Sequence, residues 1–197
     1  MEGEAQVTPE ERVREGLAQI AALAGRVAAE HAAAVVRLAE LYVATLKGGR
    51  RLFFAGNGGS AADAQHIAAE YVVRYSRNRK GLPAVALTTD SSVLTACGND
   101  LGFDEIFARQ AEALVGAGDL LVLHSTSGES PNMVRAAQAA KAKGATVVAL
   151  IGKGGGPLRD LVDHALVVPS EETARIQEMH LAIEHLICEL VEREIET

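Results

Sequence analysis

Arg51-Leu52-Phe53-Phe54-Ala55-Gly56-Asn57-Gly58-Gly59-Ser60-Ala61-Ala62-Asp63-Ala64-Gln65-His66 is the stretch that decides the architecture of this chain. Leu52 to Ala55 has the length and bulk of a buried strand; it breaks on a glycine cluster, and an alanine-rich helical stretch follows at once. Strand, glycine loop and helix in that order begin a parallel crossover unit. The alternation repeats downstream, with strands expected at Leu52 to Ala55, Ala84 to Thr88, Leu120 to His124, Thr146 to Ile151 and, more weakly patterned, Ala165 to Val168. Helices are expected at about 60–75, 103–115, 132–143 and 158–162. A last amphipathic helix runs from about Glu172 to Glu194, with Ile176, Met179, Ile183, Leu186, Ile187, Leu190 and Val191 as its apolar stripe. The expected fold class is α/β, a three-layer sandwich around a five-stranded parallel doubly wound sheet.

Upstream, Thr8-Pro9-Glu10-Glu11 reads as a helix start: Thr8 caps, Pro9 fits the first turn and Glu11 completes a capping box. Apolar residues then recur mostly three or four apart from Val13 to Leu46, until Gly48-Gly49 ends the run. This is one long helix, or two separated near Gly25. Residues 1–48 are accordingly expected to form an N-terminal helical arm and residues 49–197 the α/β domain, one compact domain overall. The arm could pack on a neighbouring subunit or on its own core.

The 197 residues are 48% apolar, enough for one substantial core, and carry a formal net charge of -7. That charge excludes a general nucleic-acid coat and gives no attraction to anionic membranes. Cys97 and Cys188 form neither a metal spacing nor a disulfide framework, so both are expected to be small buried hydrophobes in a reducing compartment. Met1-Glu2-Gly3-Glu4 is acidic where a secretory signal is basic, and no apolar run reaches the ~18 residues of a membrane span. A cytoplasmic protein is expected.

In open parallel sheets ligands bind beyond the carboxyl ends of the strands, so the loops there are the candidate site. Gly56-Asn57-Gly58-Gly59-Ser60 aims unpaired N–H groups and a helix N-terminus at one point, a place for an anion. A tight turn needing positive φ explains the cluster equally well, and Gly56-x-Gly58-x-x-Ala61 also fits a dinucleotide fingerprint. Ser125-Thr126-Ser127-Gly128-Glu129-Ser130 changes the balance: four hydroxyls around one glycine, before a helix opened by Pro131, suit a terminal phosphate. Serines merely capping that helix would account for one hydroxyl and leave three without a role. Two such loops favour a sugar phosphate over a nucleotide.

Thr88 to Ser92 and Cys97-Gly98-Asn99-Asp100 offer an amide and a carboxylate for sugar hydroxyls, although turn formation by Asn and Asp is the simpler explanation. Lys153-Gly154-Gly155-Gly156 reads as a mobile connection without chemistry. His66 and Glu70, four apart, share one helix face. Gln177 and His185, eight apart on the last helix, are separated by about 12 Å of rise and ~80° of rotation, with His180 between them. Histidines so placed are more often packing or surface features than metal ligands.

Taken together, Gly56-Asn57-Gly58-Gly59-Ser60, His66-x-x-x-Glu70, Gly98-Asn99-Asp100, Ser125-Thr126-Ser127-Gly128-x-Ser130 and Arg175-Ile176-Gln177-Glu178-Met179-His180 running on to His185 resemble the sugar isomerase (SIS) domain family, and within it the heptose phosphate isomerases. The resemblance covers nearly the whole chain. It implies a flavodoxin-like sheet, a homotetramer with sites assembled between subunits, and conversion of D-sedoheptulose 7-phosphate into D-glycero-D-manno-heptose 7-phosphate, the first step towards activated heptose. Glu70 resembles the base that moves a proton between C1 and C2, and His185 the acid. Gly58, Gly59, Ser60, Ser125, Thr126, Ser127 and Ser130 look like the phosphate cradle, with Asn57, Asn99, Asp100 and Gln177 on the sugar. His66, Glu70, Gln177 and His185 match the positions that hold zinc in some members, one ion per subunit; no nucleotide is implied.

Two residues depart from the family pattern. His124 stands where an aliphatic side chain is usual and is expected to be a packed, neutral core histidine; Glu129 stands where Asn is frequent and is expected to turn away from the cradle. The competing class is a non-catalytic SIS tetramer that binds the bacterial replication initiator. Thr88 to Ala96 and Ala174 to His180 resemble it too, but it lacks the pair that Glu70 and His185 make here.

Overall fold

The computed structural model describes residues 7–195; the acidic start, Met1 to Glu4, lies outside the described residues. Five parallel strands, β1 (Leu52–Gly56), β2 (Ala84–Ala86), β3 (Leu120–Ser125), β4 (Thr146–Ile151) and β5 (His164–Val167), line up in the order β2-β1-β3-β4-β5. This is the flavodoxin-like doubly wound order, whose direction of winding reverses between β1 and β3. The helices are α1 (Pro9–Lys47), α2 (Gly59–Val72), α3 (Ser91–Asp100), α4 (Ala108–Leu114), α5 (Pro131–Ala142), α6 (Gly156–Leu161) and α7 (Thr173–Glu194).

Alternation along the strands splits the core into two layers, because successive side chains of a strand point to opposite faces. Leu52, Phe54, Leu120, Val122, Val148 and Leu150 face α1, α2 and α7. Phe53, Ala55, Leu121, Leu123, Val147, Ala149 and Ile151 face the layer built by α3 to α6. Both faces are covered, which is why these strands read as continuous apolar runs.

The helix start at Thr8 has both halves of its capping box, and α1 continues through Gly25 without a break. From Leu23 onward it buries Val27, Val35, Leu38, Ala39, Tyr42 and Leu46. Cys97 and Cys188 are buried and free. Three local expectations need correction. β2 ends at Ala86 because Thr88 and Thr89 turn the chain, their hydroxyls donating to the carbonyls of Ala61 and Ala86. The expected helix at 103–115 is a 3-10 turn, Phe103–Glu105, followed by α4. Gly98, Asn99 and Asp100 are no turn: they close α3, whose N-cap Asp90 accepts from the Val93 N–H.

Candidate active site

β1 and β3 are neighbours with Gly56 opposite His124, so the loops that leave them emerge side by side. Gly58 sits at φ 58 and ψ -121, a conformation open to glycine and strained for other residues. A side chain on Gly56 would meet the Ser60 carbonyl oxygen at 2.4 Å, so only glycine lets the loop fold back onto α2. Asn57 and Asn132 exchange two amide hydrogen bonds of 2.9 and 2.8 Å, which tie this loop to the start of α5. The N-termini of α2 and α5 are therefore tied side by side, next to Ser60 and the Ser125 to Ser130 loop.

Not all those hydroxyls are free. Ser125 Oγ accepts from Gly128 N–H at 3.0 Å and Ser127 Oγ from Glu129 N–H at 3.2 Å, so two of the three hydroxyls thought to lack a structural role shape the loop. Ser130 holds the N-cap position of α5 yet makes no side-chain cap bond. A side chain on Gly128 would meet the Gly155 carbonyl and one on Gly156 the Gly128 backbone, so neither position has room for one; at Gly155 the crowding comes from Ile151 and Arg159. Lys153 to Gly156, read as a mobile connection, is thus a brace for the serine loop. Glu129 is exposed and its side chain leans on Gly156.

α2 and α7 run side by side in the same direction. Gln177 stands over the first residue of α2, where a methyl on Gly59 would come within 2.8 Å of its amide. Farther along, His66 Nε2 lies 3.1 Å from Glu70 Oε1 and 3.4 Å from His185 Nε2. One ligand atom from each of these residues falls within 4.8 Å of the others. Two imidazoles and a carboxylate at that spacing suit zinc, with one tetrahedral position left over. Gln177 lies about two turns from His185, towards the start of α2 and apart from that cluster. Asn99 and Asp100 are exposed and bond to each other at 2.7 Å.

Sequence reading missed several residues that the structure draws to this place. Asp63, on the same face of α2 as His66 and Glu70, is half-buried with Oδ2 unpartnered. Burial raises its pKa, against the pull of His124 and His66. The i, i+3, i+7 spacing of Asp63, His66 and Glu70 was the signal available. The Tyr75 ring packs on the His185 ring, 5.6 Å between centres at 29°. Beneath the site, His124 is packed as expected, but not alone: its Nε2 lies 3.2 Å from Glu184 Oε1, which also accepts from Tyr42 Oη at 2.9 Å. His180 is buried too, Nε2 donating to the Ile151 carbonyl.

Comparison with known proteins follows the same lines. The sequence pattern of the SIS domain matches residues 17–152. The phosphoheptose isomerase of Geobacter sulfurreducens is 54% identical over 173 residues, 88% of this chain and 87% of its own length. That of Burkholderia pseudomallei is 53% identical over 163 residues, 83% of each chain. The solved structure of phosphoheptose isomerase GmhA from Neisseria gonorrhoeae superimposes with a TM-score of 0.90 at 42% identity, covering 94% of this chain and all of that one.

Proposed function

This chain belongs to the SIS domain family, and from that premise we propose that it is an aldose–ketose isomerase converting D-sedoheptulose 7-phosphate to D-glycero-D-manno-heptose 7-phosphate. The observation that carries the reading is the meeting of Glu70 and His185 from helices far apart in sequence, beyond a phosphate-type cradle. Gly59 and His66 are seven residues apart, about 10 Å along α2, the order of length over which an extended seven-carbon sugar separates its phosphate from C1. The phosphate sits on Gly58, Gly59, Ser60, Ser125, Thr126, Ser127 and Ser130, with Asn57, Gln177, Asn99 and Asp100 serving the sugar hydroxyls.

Glu70 removes a proton from C1 of the ketose, and His185 donates a proton to O2, giving the 1,2-enediol. Glu70 then returns its proton to C2 while His185 takes the proton from O1, leaving the aldehyde at C1. Phosphate binding, remote from the reacting carbons, holds C1 and C2 against this pair. His66, Glu70 and His185 are the residues that would hold one zinc per subunit, Gln177 standing about two turns away against Gly59; the ion would supply Lewis acidity to a sugar oxygen. A cation on Glu70 lowers its basicity, so metal binding and proton abstraction compete for that carboxylate.

An apolar cleft of about 390 Å³ between α1 and α7, lined by Ala24, Val27, Ala28, Ala182 and Leu186, supports packing of further subunits into a homotetramer. The exposed first half of α1 serves as its arm. Among the described residues no helix is long and apolar enough to cross a membrane, and the net charge of -7 disfavours nucleic acid; we place the enzyme in the cytoplasm. The test is incubation with sedoheptulose 7-phosphate, with and without a chelator, followed by sugar phosphate analysis. Aldoheptose 7-phosphate is expected. Its absence under both conditions overturns the reading in favour of the non-catalytic binding protein.

A further inference from the structure

Glu192, in the last turn of α7, has no part in the chemistry above, yet it is one of the most heavily bonded side chains in the molecule. Its carboxylate accepts from the N–H groups of Tyr75, Ser76 and Arg77 at 2.9, 2.9 and 2.8 Å, from Ser76 Oγ at 3.1 Å and from Arg79 Nε at 3.0 Å. Both side chains of the Arg79–Glu192 pair are 2% exposed. The guanidinium that faces Glu192 also donates to the carbonyls of Glu70 at 2.7 Å and Tyr71 at 2.8 Å, and so caps the carboxyl end of α2. One carboxylate thereby fastens a strap, residues 75–79, to both helices of the site. At the near end of the strap, Tyr75 lies on the His185 ring.

We infer that Glu192 is a positioning residue for the Glu70 and His185 pair, acting through the Tyr75 ring on one side and the Arg79 cap on the Glu70 carbonyl on the other. The inference deepens the isomerase reading and rests on it for its kinetic consequence. The geometric consequence stands apart. α7 carries His185 and α2 carries Glu70; Ile187, Cys188 and Val191 share a core cluster with Ile67, Ala68 and Tyr71, and the strap adds the polar tie that sets the step from His185 to Glu192 against the end of α2. Misplacement of catalytic groups by about 1 Å costs on the order of 10²-fold in rate, while phosphate held at the other end of the groove is unaffected.

The test combines a spectroscopic and a kinetic readout on the full chain. In protein labelled at histidine Cε1, a ring stacked on His185 displaces its Cε1–H resonance, assigned by its disappearance in His185→Asn. Tyr75→Leu should abolish that displacement and Tyr75→Phe should keep it. Glu192→Gln should abolish it as well, with Tyr75 still present, and should lower kcat for sedoheptulose 7-phosphate by about tenfold or more at nearly unchanged KM. A His185 resonance unmoved in Glu192→Gln, or an unchanged kcat where the wild type is active, overturns the inference. Should Glu192→Gln fail to fold, Tyr75→Leu decides: wild-type resonance and wild-type kcat in that variant also overturn it. An inactive wild type whose His185 resonance still moves in both variants rejects the isomerase reading and leaves the positioning role standing.

Discussion

Two groups of the same composition, each of two histidines and one glutamate, lie close together in this molecule. Glu184 and His185 are consecutive on α7, about 100° apart around the helix, so one turns into the core and the other out. Inside, Glu184 joins His124 and Tyr42, and His180 is held by a backbone carbonyl. Outside, His185 meets His66 and Glu70, whose side chains keep 43% and 20% of their exposure. The inner group bonds to fixed partners in three elements and is closed to solvent, with His124 Nδ1, His180 Nδ1 and Glu184 Oε2 buried without a partner. The outer group bonds chiefly within itself and faces solvent. Residue type sets what chemistry a cluster could do; access to solvent and ligand is what separates the two groups here.

The largest expected effect tests the outer group. Glu70→Gln should lower kcat for isomerisation by about 10² to 10⁴-fold, the usual contribution of a general base, while calorimetry finds sugar phosphate affinity within about twofold. Normal turnover would erase the distinction between the two groups. The inner group should answer in the opposite way. Glu184→Ala leaves the Tyr42 hydroxyl and His124 without their shared acceptor, and urea unfolding should find a loss of about 2 to 6 kcal/mol, about 1 to 3 for each orphaned group. Activity per folded molecule should change far less. An equally stable Glu184→Ala would mean that the inner group holds nothing together.

How much of this was legible follows from which forces are local. The strands, the long capped helix and the crossover order could be read because period and punctuation act over a few residues, as in Leu52 to Ser60. The serine loop and the glycine loop were legible as loops leaving adjacent strands for the same reason. The pairing of His66 with Glu70 was visible as a four-residue spacing; its meeting with His185 rested on family resemblance, because nothing in a one-dimensional spacing aligns α2 with α7. Glu184 and Glu192 were invisible: on an amphipathic helix a glutamate reads as solvated, and only the opposite wall supplies Tyr42, His124 and the strap. Gly156 was misread because its role is the closeness of another loop's backbone, that of Gly128.

A milder probe of the inner group is pH. Burial, reinforced by nearby His124, pushes the His180 pKa down to about 3, against the raising effect of the Ile151 carbonyl. In the unfolded chain the group titrates near 6.5. Between these values the unfolded state binds a proton that the native state refuses, so the stability His180 contributes is complete above pH 6.5 and is lost progressively down to about 3. Urea midpoints followed from pH 7 to 4 should fall, and fall less steeply in His180→Gln. Glu192 adds to the acid loss lower down. Burial alone would raise its pKa, but the N–H groups of Arg77, Ser76 and Tyr75 hold it at about 2, so its share disappears between about pH 4.5 and 2. A midpoint that is flat to pH 4 would mean His180 accepts its proton in place.

The smallest effect carries a related contrast into the loop proposed to hold phosphate, where identical side chains divide into committed and free. Ser125 and Ser127 hydroxyls already accept loop N–H groups, whereas Ser130 caps nothing. Ser130→Ala should therefore leave the urea midpoint almost unchanged. A hydrogen bond to a charged partner is worth about 1.5 to 3 kcal/mol, so loss of one to phosphate should raise KM by at least about tenfold. kcat should stay within about twofold, because the missing bond is made equally in ground state and transition state. Ser125→Ala, by contrast, should cost stability as well as affinity, since its loss leaves the Gly128 N–H unpaired in a buried loop. If the two variants behave alike, the committed hydroxyl is as available to the ligand as the free one, and the division between bonded and unbonded groups loses its meaning at this end of the site.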